Sequence, residues 1–363
     1  MKLRHLSLIT FRNYFALELD LEPGINLFIG ANAQGKTNLL EACHLLATGR
    51  SHRTFRDQEM IAWQQDGFHI KATVQKRLST ELIELHVNRQ GHKIVKLNGL
   101  LQPKLGALLG QLNVVFFAPE HLLLVKGDPS GRRRFLDIAI SQISPSYLHH
   151  LARYHQILNQ KNILLKTNRP DEALLSIYNQ QLSESGGVII AKRSDIIGQL
   201  EINAKKYQHL LRETENLSFT YQSQTETKEN PKLIAEELFR KMEERKEDEL
   251  QRRTGLVGPH RDDFSIFLND INVRQYGSQG QQRSVVLSIK MAEANLMEES
   301  TGEQPVIILD DVLSELDPAR QSQLITGLKH IGQTLISSTD LPPVLSGLNS
   351  KIFRVNDGKI IIS

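Results

Sequence analysis

The sequence lacks what a disulfide-held, secreted or membrane-spanning protein needs. It has one cysteine, Cys43, so no disulfide can form within the chain. It has no run of about 18 uncharged apolar residues, which is the length of a membrane-spanning helix. Its first residues, Met1 to His5, lack the apolar core of a signal peptide. These absences lead us to expect a cytoplasmic protein.

An excess of charge of either sign is also lacking. The 44 lysines and arginines nearly balance the 41 aspartates and glutamates. This balance excludes a polybasic coat but permits a local basic patch on a mixed surface. Aromatic residues are few, and we predict that the one tryptophan, Trp63, packs against the protein rather than recognising a ligand. The length of 363 residues predicts two or three domains.

What the sequence does contain is a glycine-rich segment between a strand pattern and a helix pattern. An apolar, β-prone run ends at Gly30, and Gly35, Lys36 and Thr37 precede a helix-forming stretch. This spacing, G-x-x-x-x-G-K-T, is that of a phosphate loop in its required strand–loop–helix context. Glycines leave the backbone N–H groups open to phosphate oxygens, and the positive end of the helix faces the same anion. The segment predicts binding of a nucleoside triphosphate rather than a chance glycine-rich turn.

Two carboxylates after a later strand pattern supply the second half of such a site. The apolar run 306–309 ends in Asp310 and Asp311. We predict that Lys36 reaches the β- and γ-phosphates and that the Thr37 hydroxyl ligates Mg²⁺. We predict that Asp310 also holds the Mg²⁺ and that Asp311 orients or deprotonates the attacking water. Acids after a strand are common by themselves, but the chemistry needs them together with the phosphate loop.

A serine–glycine segment, residues 278–281, opens another predicted helix. A hydroxyl and backbone N–H groups at a helix start form an anion site. Within one chain this site would be redundant beside the phosphate loop, so it makes sense at the γ-phosphate bound by another subunit. This is the arrangement of ABC-type ATPases, and the segment resembles their S-x-G-Q signature. Asn32 stands where that class commonly has asparagine, and residues 314–317 resemble its D-loop.

The patterns along the chain divide it into three predicted parts. Residues 1–127 contain the phosphate loop and the alternating runs of an antiparallel meander. Residues 128–250 have helical periodicity, with Gly186-Gly187 as a predicted kink, and residues 251–363 return to strand patterns. We therefore predict an α/β fold, an ATPase head of two lobes with a helical arm inserted between them.

Taken together, these motifs resemble the RecF family of bacterial recombination mediators, ABC-type ATPases with an SMC-like head. The segments that carry the resemblance follow the family's order: 11–14, 30–37, 129–137, 258–263, 278–283 and 310–317. The resemblance implies ATP and Mg²⁺ as cofactors, an ATP-dependent homodimer, and slow, DNA-dependent hydrolysis that works as a switch. It implies binding of duplex, gapped or junction DNA in replication, repair and the SOS response to DNA damage. It also implies RecR as a partner, with RecO and RecA acting downstream.

The resemblance also implies which residues form the site. Lys36, Ser278 and Asp311 would be catalytic, and Thr37 and Asp310 would be the Mg²⁺ ligands. The residues implied to contact ATP lie in the phosphate loop, the signature-like segment and two further positions: Arg12, Gly30, Ala31, Asn32, Ala33, Gln34, Gly35, Lys36, Thr37, Asn38, Ser278, Gly280, Gln281 and Asp317.

Three positions depart from the ABC pattern. Asp311 is one methylene shorter than the glutamate that most of the class has, which suits a slow switch better than a pump. Thr339 and Asp340 occupy the turn where a switch histidine is expected. The family usually has aspartate where this chain has His121, which disfavours a Q-loop-like role for Glu120.

Contact with DNA is predicted at Arg132, Arg133 and Arg134, at the start of a helix. Three successive residues span about 200° of a helix, so they cannot all face one ligand. The alternative is a solvated helix start with one arginine in a salt bridge. We find no basic stretch with interleaved aromatic residues of the kind that binds single strands, which favours duplex backbone.

Two other function classes stay open at this point. The nucleotide-binding subunit of a transporter shares these motifs, although the long helical insertion and the missing switch histidine argue against it. A P-loop kinase of a small molecule would explain the phosphate loop but would leave residues 278–281 without a role.

Overall fold

The computed structural model describes residues 1–226, 229–328 and 332–362. Residues 227 and 228, in the polar stretch before a predicted helix, lie outside the described residues. The chain forms two compact units, Met1–His121 with Lys290–Ser363, and Leu122–Ile289. The division at 127/128 and 250/251 into two lobes and an arm stays a prediction.

The strands supply three sheets. They are, in chain order, β1 (Lys2–Phe11), β2 (Tyr14–Asp20), β3 (Ile25–Ile29), β4 (Gly67–Gln75), β5 (Thr80–Asn88), β6 (Lys93–Leu97), β7 (Leu100–Gln102), β8 (Val114–Phe117), β9 (Leu217–Gln222), β10 (Asp263–Leu268), β11 (Ile271–Asn272), β12 (Val306–Asp310), β13 (Thr334–Ser338), β14 (Ser350–Asn356) and β15 (Lys359–Ile362).

The helices lie mostly in the second unit. They are α1 (Lys36–Thr48), α2 (Leu123–Lys126), α3 (Pro129–Ile143), α4 (Pro145–Leu165), α5 (Glu172–Leu211), α6 (Pro231–Glu244), α7 (Lys246–Arg252), α8 (Val273–Tyr276), α9 (Gln279–Thr301) and α10 (Pro318–Leu328). No helix in the described ranges is both long enough and apolar enough to cross a membrane.

One sheet of the first unit is an antiparallel meander in the order β2-β1-β4-β5-β6-β7. The residues of β4 alternate between buried and part-exposed positions, with Phe68, Ile70, Ala72 and Val74 turned to the core. This alternation produces a sheet with one apolar face and one solvated face. The antiparallel meander predicted within residues 1–127 is thereby confirmed, with β4, β5 and β6 as its alternating runs.

The other sheet of the first unit sets the position of the site. Its order is β15-β14-β3-β13-β12-β8, and its strands are parallel except for the β14–β15 pair. Strands β8, β12 and β13 are buried at every position, as expected for parallel strands covered on both faces. Because β13 lies between β3 and β12, the carboxyl ends of these three strands meet at one edge. The phosphate loop follows β3 at that edge.

The second unit combines helices with the three-stranded antiparallel sheet β11-β10-β9. Ser144 caps α4 by accepting a hydrogen bond from the Tyr147 N–H, as its position before Pro145 predicts. Helix α5 is continuous through Gly186 and Gly187, where a kink was predicted. A Cβ at Gly187 would lie 2.3 Å from the Pro231 carbonyl oxygen, so these glycines permit close packing of α6 on α5.

Candidate functional site

The phosphate loop needs glycine at both of its predicted positions. A Cβ at Gly30 would lie 2.2 Å from the backbone oxygen of Val355, so no side chain fits there. Gly35 has a φ of +115°, a conformation that L side chains rarely adopt, and it stands at the N-terminus of α1. Between them Ala31, Asn32 and Ala33 are exposed at the tip of the loop. The loop therefore presents backbone and the start of α1 to a ligand.

Side chains that follow β1 hold the loop in this shape. The Asn13 amide donates to the Gln34 carbonyl at 3.0 Å, and the Tyr14 hydroxyl donates to the Gly35 carbonyl at 3.1 Å. The Asn38 amide in turn donates to Asn13 at 2.8 Å. The sequence analysis placed these two residues in a family motif, 11–14, but gave neither of them a role. Their role is to brace the phosphate loop.

Lys36 is folded back onto the loop that it follows. Its Nζ donates to the Gly30 carbonyl at 2.6 Å and to the Ala31 carbonyl at 2.8 Å. Burial lowers the pKa of Lys36, while the charges of Asp311 and Asp310 oppose that shift. The ammonium is thus held by neutral carbonyls within reach of two carboxylates, and an incoming anion would give it stronger, charge-assisted partners.

Thr37 and Asp310 meet across the edge of the parallel sheet. The Thr37 hydroxyl donates to Asp310 Oδ1 at 3.0 Å, and the Ser337 hydroxyl donates to the same oxygen at 2.7 Å. Burial raises the pKa of Asp310, and the charges of Glu120 and Asp311 also raise it, whereas the two hydroxyl donors lower it. The structure therefore brings together the two residues that were predicted to hold Mg²⁺.

Ser337 connects the two adjacent carboxylate residues, and the sequence analysis missed it. Its Oγ accepts the Asp311 N–H at 2.9 Å while donating to Asp310. Asp311 has a φ of +52°, in the left-handed region that favours glycine. The hydrogen bond that the Asp311 N–H donates to Ser337 holds this backbone conformation. The sequence predicts strand patterns in residues 251–363, but the place of β13 beside β12 depends on strand order, which these patterns do not give.

Asp311 has a carboxylate oxygen with an unused lone pair. Its Oδ1 is buried and has no hydrogen-bond partner among the described residues. Buried polar atoms without a partner are rare in native proteins, and a water or an ion is the usual complement. The neighbouring hard oxygen donors, Thr37 and Asp310, are those that Mg²⁺ prefers. The described residues contain no cluster of three or more metal-ligating side chains, so phosphate oxygens and waters would complete such an ion's shell.

Glu120 reaches the same edge from the next strand. It follows β8, which pairs in parallel with β12, and its charge helps to raise the pKa of Asp310. The sequence disfavours a Q-loop-like role for Glu120. In the structure the charge of this carboxylate acts on the predicted Mg²⁺ ligand.

Arg12 braces helix α1. Its Nε and Nη2 donate to the two oxygens of Glu41 at 2.9 and 2.8 Å, and its Nη1 donates to the Glu59 carbonyl at 2.8 Å. Glu41 lies on α1 and its side chain is fully buried. The guanidinium of Arg12 is thereby bound to Glu41, which lies five residues after Lys36 on α1.

The signature-like segment lies in the second unit and forms a reciprocal helix cap. The Ser278 N–H donates to Gln281 Oε1 at 2.9 Å, and the Gln281 N–H donates to Ser278 Oγ at 3.2 Å. This is a capping box at the start of α9. Ser278 is exposed, and Gly280 is half-buried. The Ser278 hydroxyl hydrogen is not used by the cap.

Asp317 has a similar capping role at α10. Its carboxylate accepts the Arg320 N–H at 2.9 Å and pairs with the Arg320 guanidinium at 2.8 Å. Pro318 takes the first helical position, where its missing N–H costs nothing. The side chain of Asp317 is 47% exposed, so the carboxylate also faces solvent.

The three consecutive arginines have different environments. Arg132 is 3% exposed, and its guanidinium pairs with both oxygens of Asp263 at 2.6 and 2.9 Å. It therefore takes the salt-bridge alternative and is inaccessible to DNA. Arg133 donates to the Asp262 carbonyl at 2.7 Å and is half-buried, as is Arg134. The structure thus limits the predicted DNA contact to the second and third arginines.

Two further family motifs meet in a buried polar group, which we call the Arg193 cluster. Arg193 is 2% exposed and donates to Asp137 at 2.7 Å, to the Pro259 carbonyl at 2.7 Å and to the Tyr147 hydroxyl at 3.0 Å. Asp262 lies 3.8 Å from the guanidinium. The cluster consists of Asp137, Tyr147, Tyr154, Arg193, Tyr221, His260 and Asp262. It joins segments 129–137 and 258–263, so these motifs build the interior of the second unit.

Trp63 does not pack, and the prediction that it does is wrong. Its side chain is 95% exposed. The preceding backbone is fixed, since the Ala62 N–H donates to the Thr10 carbonyl at 2.9 Å and Phe11 bridges to Ile61. The exposed indole therefore stands on an ordered turn.

Comparison with known proteins shows the same family over the whole chain. Residues 2–352 match the family model described as the RecF/RecN/SMC N terminal domain. The chain is 42% identical to the DNA replication and repair protein RecF of Symbiobacterium thermophilum, covering 100% of this chain and 98% of that protein. It is 41% identical to the protein of the same name from Clostridium tetani, covering 99% of this chain and 100% of that protein.

Solved structures give the same result for the fold. The chain matches a structure of the recombination mediator protein RecF-ATP in the RecFOR pathway, with a TM-score of 0.93 and 33% identity over 99% of this chain and 97% of that one. The Smc head domain of Pyrococcus furiosus matches with a TM-score of 0.57 at 15% identity, over 99% of this chain and 95% of that one, which shows the fold alone. The predicted α/β ATPase-head fold is confirmed, and the chain belongs to the RecF family.

Proposed function

We propose that the chain is an ATP-dependent DNA-binding protein of DNA replication and repair that acts as a recombination mediator. One observation carries the proposal: Thr37 of the phosphate loop is hydrogen-bonded to Asp310, whose strand also presents Asp311. Relatives of matching length are named DNA replication and repair protein RecF, and a structural neighbour is described with ATP. The transporter and kinase alternatives have no such support.

Nucleotide binding rests on the backbone of the loop and on Lys36. The N–H groups between Gly30 and Thr37 surround the phosphates, since no side chain fits at Gly30 and the helix start faces the same space. Lys36 exchanges the Gly30 and Ala31 carbonyls for phosphate oxygens. Asn32, Ala33, Gln34 and Asn38 line the same loop.

Thr37 and Asp310 would hold Mg²⁺, and the bound ion would supply charge neutralisation and orientation of the phosphates. Asp311 then positions the attacking water through its unpaired Oδ1 and accepts a proton there. Ser337 keeps Asp311 in place by accepting its N–H. The short aspartate side chain limits its reach as a base, so we propose a weak, DNA-dependent ATPase that works as a switch.

The second half of the site comes from another copy of the chain. The exposed Ser278 hydroxyl keeps its hydrogen for a γ-phosphate oxygen of the ATP bound by the partner subunit, while its lone pair serves the helix cap. Gly280 and Gln281 supply N–H groups at the same helix start. Asp317, which is half exposed, approaches the ATP from the loop after the paired acids. ATP binding would thus close a homodimer, and hydrolysis would reopen it.

In this scheme the closed dimer binds duplex or gapped DNA in the cytoplasm. RecR is the proposed partner, and RecO and the loading of RecA at gaps follow downstream. Arg133 and Arg134 remain the proposed arginine contacts of the second unit. The two lobes and the inserted arm, with boundaries near residues 128 and 250, are the proposed functional parts.

The test is the fluorescence anisotropy of a labelled duplex titrated with wild-type protein and with Lys36→Ala, in ATP, in ADP and without nucleotide. We expect tight binding only for the wild type in ATP. Lys104→Ala, which removes an exposed lysine from the same unit, is the matched control and should bind as the wild type does. Equal binding in every nucleotide state would reject the ATP gate, and no binding at low salt would reject the DNA-binding function.

A further inference from the structure

Two aromatic side chains project into solvent from the segment between α1 and β4. Trp63 is 95% exposed and Phe55 is 87% exposed. Single apolar side chains on a surface are normal, but large aromatic rings are the residues that most often anchor a ligand or partner. Both flank one short 3₁₀ turn, Asp57–Met60, whose Met60 is buried in the core. The rings are therefore displayed from an ordered scaffold.

The segment that carries these rings also carries exposed arginines. Arg50 and Arg56 are exposed, and their guanidinium groups have no ion-pair or hydrogen-bond partner within the ranges 1–226, 229–328 and 332–362. Of the acids of the 3₁₀ turn, Asp57 pairs with Lys93 at 2.8 Å, and Glu59 is exposed and accepts from the Thr54 hydroxyl. We call Arg50, Phe55, Arg56 and Trp63 the aromatic surface.

A groove lies among residues of β1, β4 and β5 and the residues that flank these strands. It has a volume of about 400 Å³ and is lined by Thr10, Asp66, His69, His86 and Arg89 among others. Thr10 accepts the N–H of the residue before Trp63, and Asp66 lies three residues after it. The rings of His69 and His86 stand 6.3 Å apart on neighbouring strands. The lining of the groove is therefore joined to the turn that carries Trp63 through the backbone of Thr10.

The aromatic surface is connected to the phosphate-loop helix through Glu41. Arg53 donates to Asn38 at 2.9 Å and lies 3.6 Å from Glu41, while Ser51 donates to Glu41 directly. Arg12 joins Glu41 to the carbonyl of Glu59 in the 3₁₀ turn. One buried carboxylate on α1 therefore contacts this segment before Phe55 and, through Arg12, in the 3₁₀ turn that precedes Trp63.

We propose that the aromatic surface binds the unpaired strand of gapped DNA, with Trp63 and Phe55 stacked on bases and Arg50 and Arg56 on phosphates. The exposed aromatic faces match the unstacked bases of a single strand. The arginines, whose guanidinium groups have no internal partner, match its polyanionic backbone. The contacts of Glu41 connect the aromatic surface with α1, the helix that begins at Lys36 of the ATP site. The inference rests on the proposed function and names the part of the DNA that the first unit contacts. It also revises the sequence analysis, which found no basic stretch with interleaved aromatic residues.

The chain itself supplies the reporter for the test, since Trp63 is its only tryptophan. We expect oligothymidylate to quench the intrinsic fluorescence of the full-length protein, because stacking on a base quenches an exposed indole. Trp63→Ala should weaken oligothymidylate binding about tenfold, and Trp63→Phe should restore most of the affinity. Arg50→Ala and Arg56→Ala should each reduce the slope of log affinity against log salt by about 0.7.

Leu78→Ala is the matched control, because Leu78 is 94% exposed in the same unit and should not affect binding. Blunt duplex should bind Trp63→Ala as it binds the wild type. An unchanged oligothymidylate affinity in Trp63→Ala would overturn the proposal and indicate a protein partner for this surface. ATP-gated duplex binding would then stand, so the inference fails separately from the proposed function. If Trp63→Ala lost as much affinity for blunt duplex as for oligothymidylate, the proposal would also be overturned.

Discussion

The phosphate-loop site and the Arg193 cluster both place charged residues inside the protein, but they complete those charges differently. Arg193 is 2% exposed and meets the Asp137 carboxylate, the Tyr147 hydroxyl and a carbonyl within its own unit. Lys36 has only two loop carbonyls, and Asp311 retains a buried oxygen without a partner in the described chain. We call the Arg193 cluster the completed network, because its buried cation has a carboxylate partner, and the phosphate-loop site the incomplete network, because Lys36 is held by neutral carbonyls that a phosphate can replace.

The largest expected effect breaks the completed network. Arg193→Met leaves Asp137 and Asp262 buried without their cation, which should lower the free energy of unfolding by about 3–5 kcal/mol. Urea denaturation followed by circular dichroism measures it. Arg240→Ala, which removes a surface pair with Glu244, should change the same quantity by no more than about 0.5 kcal/mol. Similar losses in the two variants would contradict the structural role of the cluster.

The Arg193 cluster should also make the fold sensitive to acid. Burial lowers the pKa of His260 to about 4, while the Tyr154 hydroxyl and the Gly255 carbonyl occupy its two ring nitrogens. Between pH 6.5 and about 4 the unfolded state binds a proton that the folded state does not. Stability is therefore present above pH 6.5 and falls as the pH drops to about 4, by about 3 kcal/mol.

The measurement is the free energy of unfolding as a function of pH for the wild type and for His260→Gln. The variant should lose most of the slope across this range. His92→Gln, at an exposed histidine, should retain it. A wild-type slope in His260→Gln would show that other groups cause the acid sensitivity.

A third prediction concerns the incomplete network. Ser337→Ala removes the hydroxyl that holds both Asp310 and Asp311, so the turnover rate of ATP should fall about tenfold while the KM for ATP changes little. Steady-state ATPase kinetics separate the two quantities. The neighbouring Ser338→Ala keeps the backbone carbonyl that accepts the Gly30 N–H and should behave as the wild type. A rise in KM without a fall in turnover would assign Ser337 to nucleotide binding instead.

The smallest predicted effect comes from replacing one aspartate by asparagine in each of the two networks. Burial raises the pKa of Asp310, so its charged form is disfavoured in the fold. The folded state then binds the proton more readily, and stability rises as the pH falls toward that raised pKa. Asp310→Asn should therefore raise the melting temperature of the nucleotide-free protein by about 1–3 °C and abolish stabilisation by Mg²⁺-ATP. Asp137→Asn should lower the melting temperature. Thermal unfolding measures both variants, and a lower melting temperature in Asp310→Asn or a higher one in Asp137→Asn would contradict the prediction.

The linear sequence was sufficient to predict the parts of the site that one segment contains. Gly30, Gly35 and Lys36 follow a fixed spacing, and the strand before Asp310 is a continuous apolar run. Their chemistry depends on local backbone, which a short motif determines. The meander was predictable for the same reason, because alternation along one strand reports which face is buried.

The missed residues depend on which strands become neighbours. Ser337 acts on the two acids because β13 lies between β3 and β12, an order that no local pattern encodes. Glu120 reaches the site because β8 pairs with β12. Arg132 is buried because Asp263, far away in the chain, supplies its counter-charge. The exposure of Trp63 likewise follows from how its turn joins β1.

The central claim is that ATP completes the site between two copies of the chain. Sedimentation velocity measures this directly, as the mass of the 41.2 kDa chain with and without Mg²⁺-ATP. We expect the wild type to double its mass in ATP and Ser278→Arg to bind ATP while remaining monomeric. The control Ser346→Arg, at an exposed serine of the first unit, should dimerise as the wild type does. A Ser278→Arg variant that dimerises normally in ATP would contradict the account.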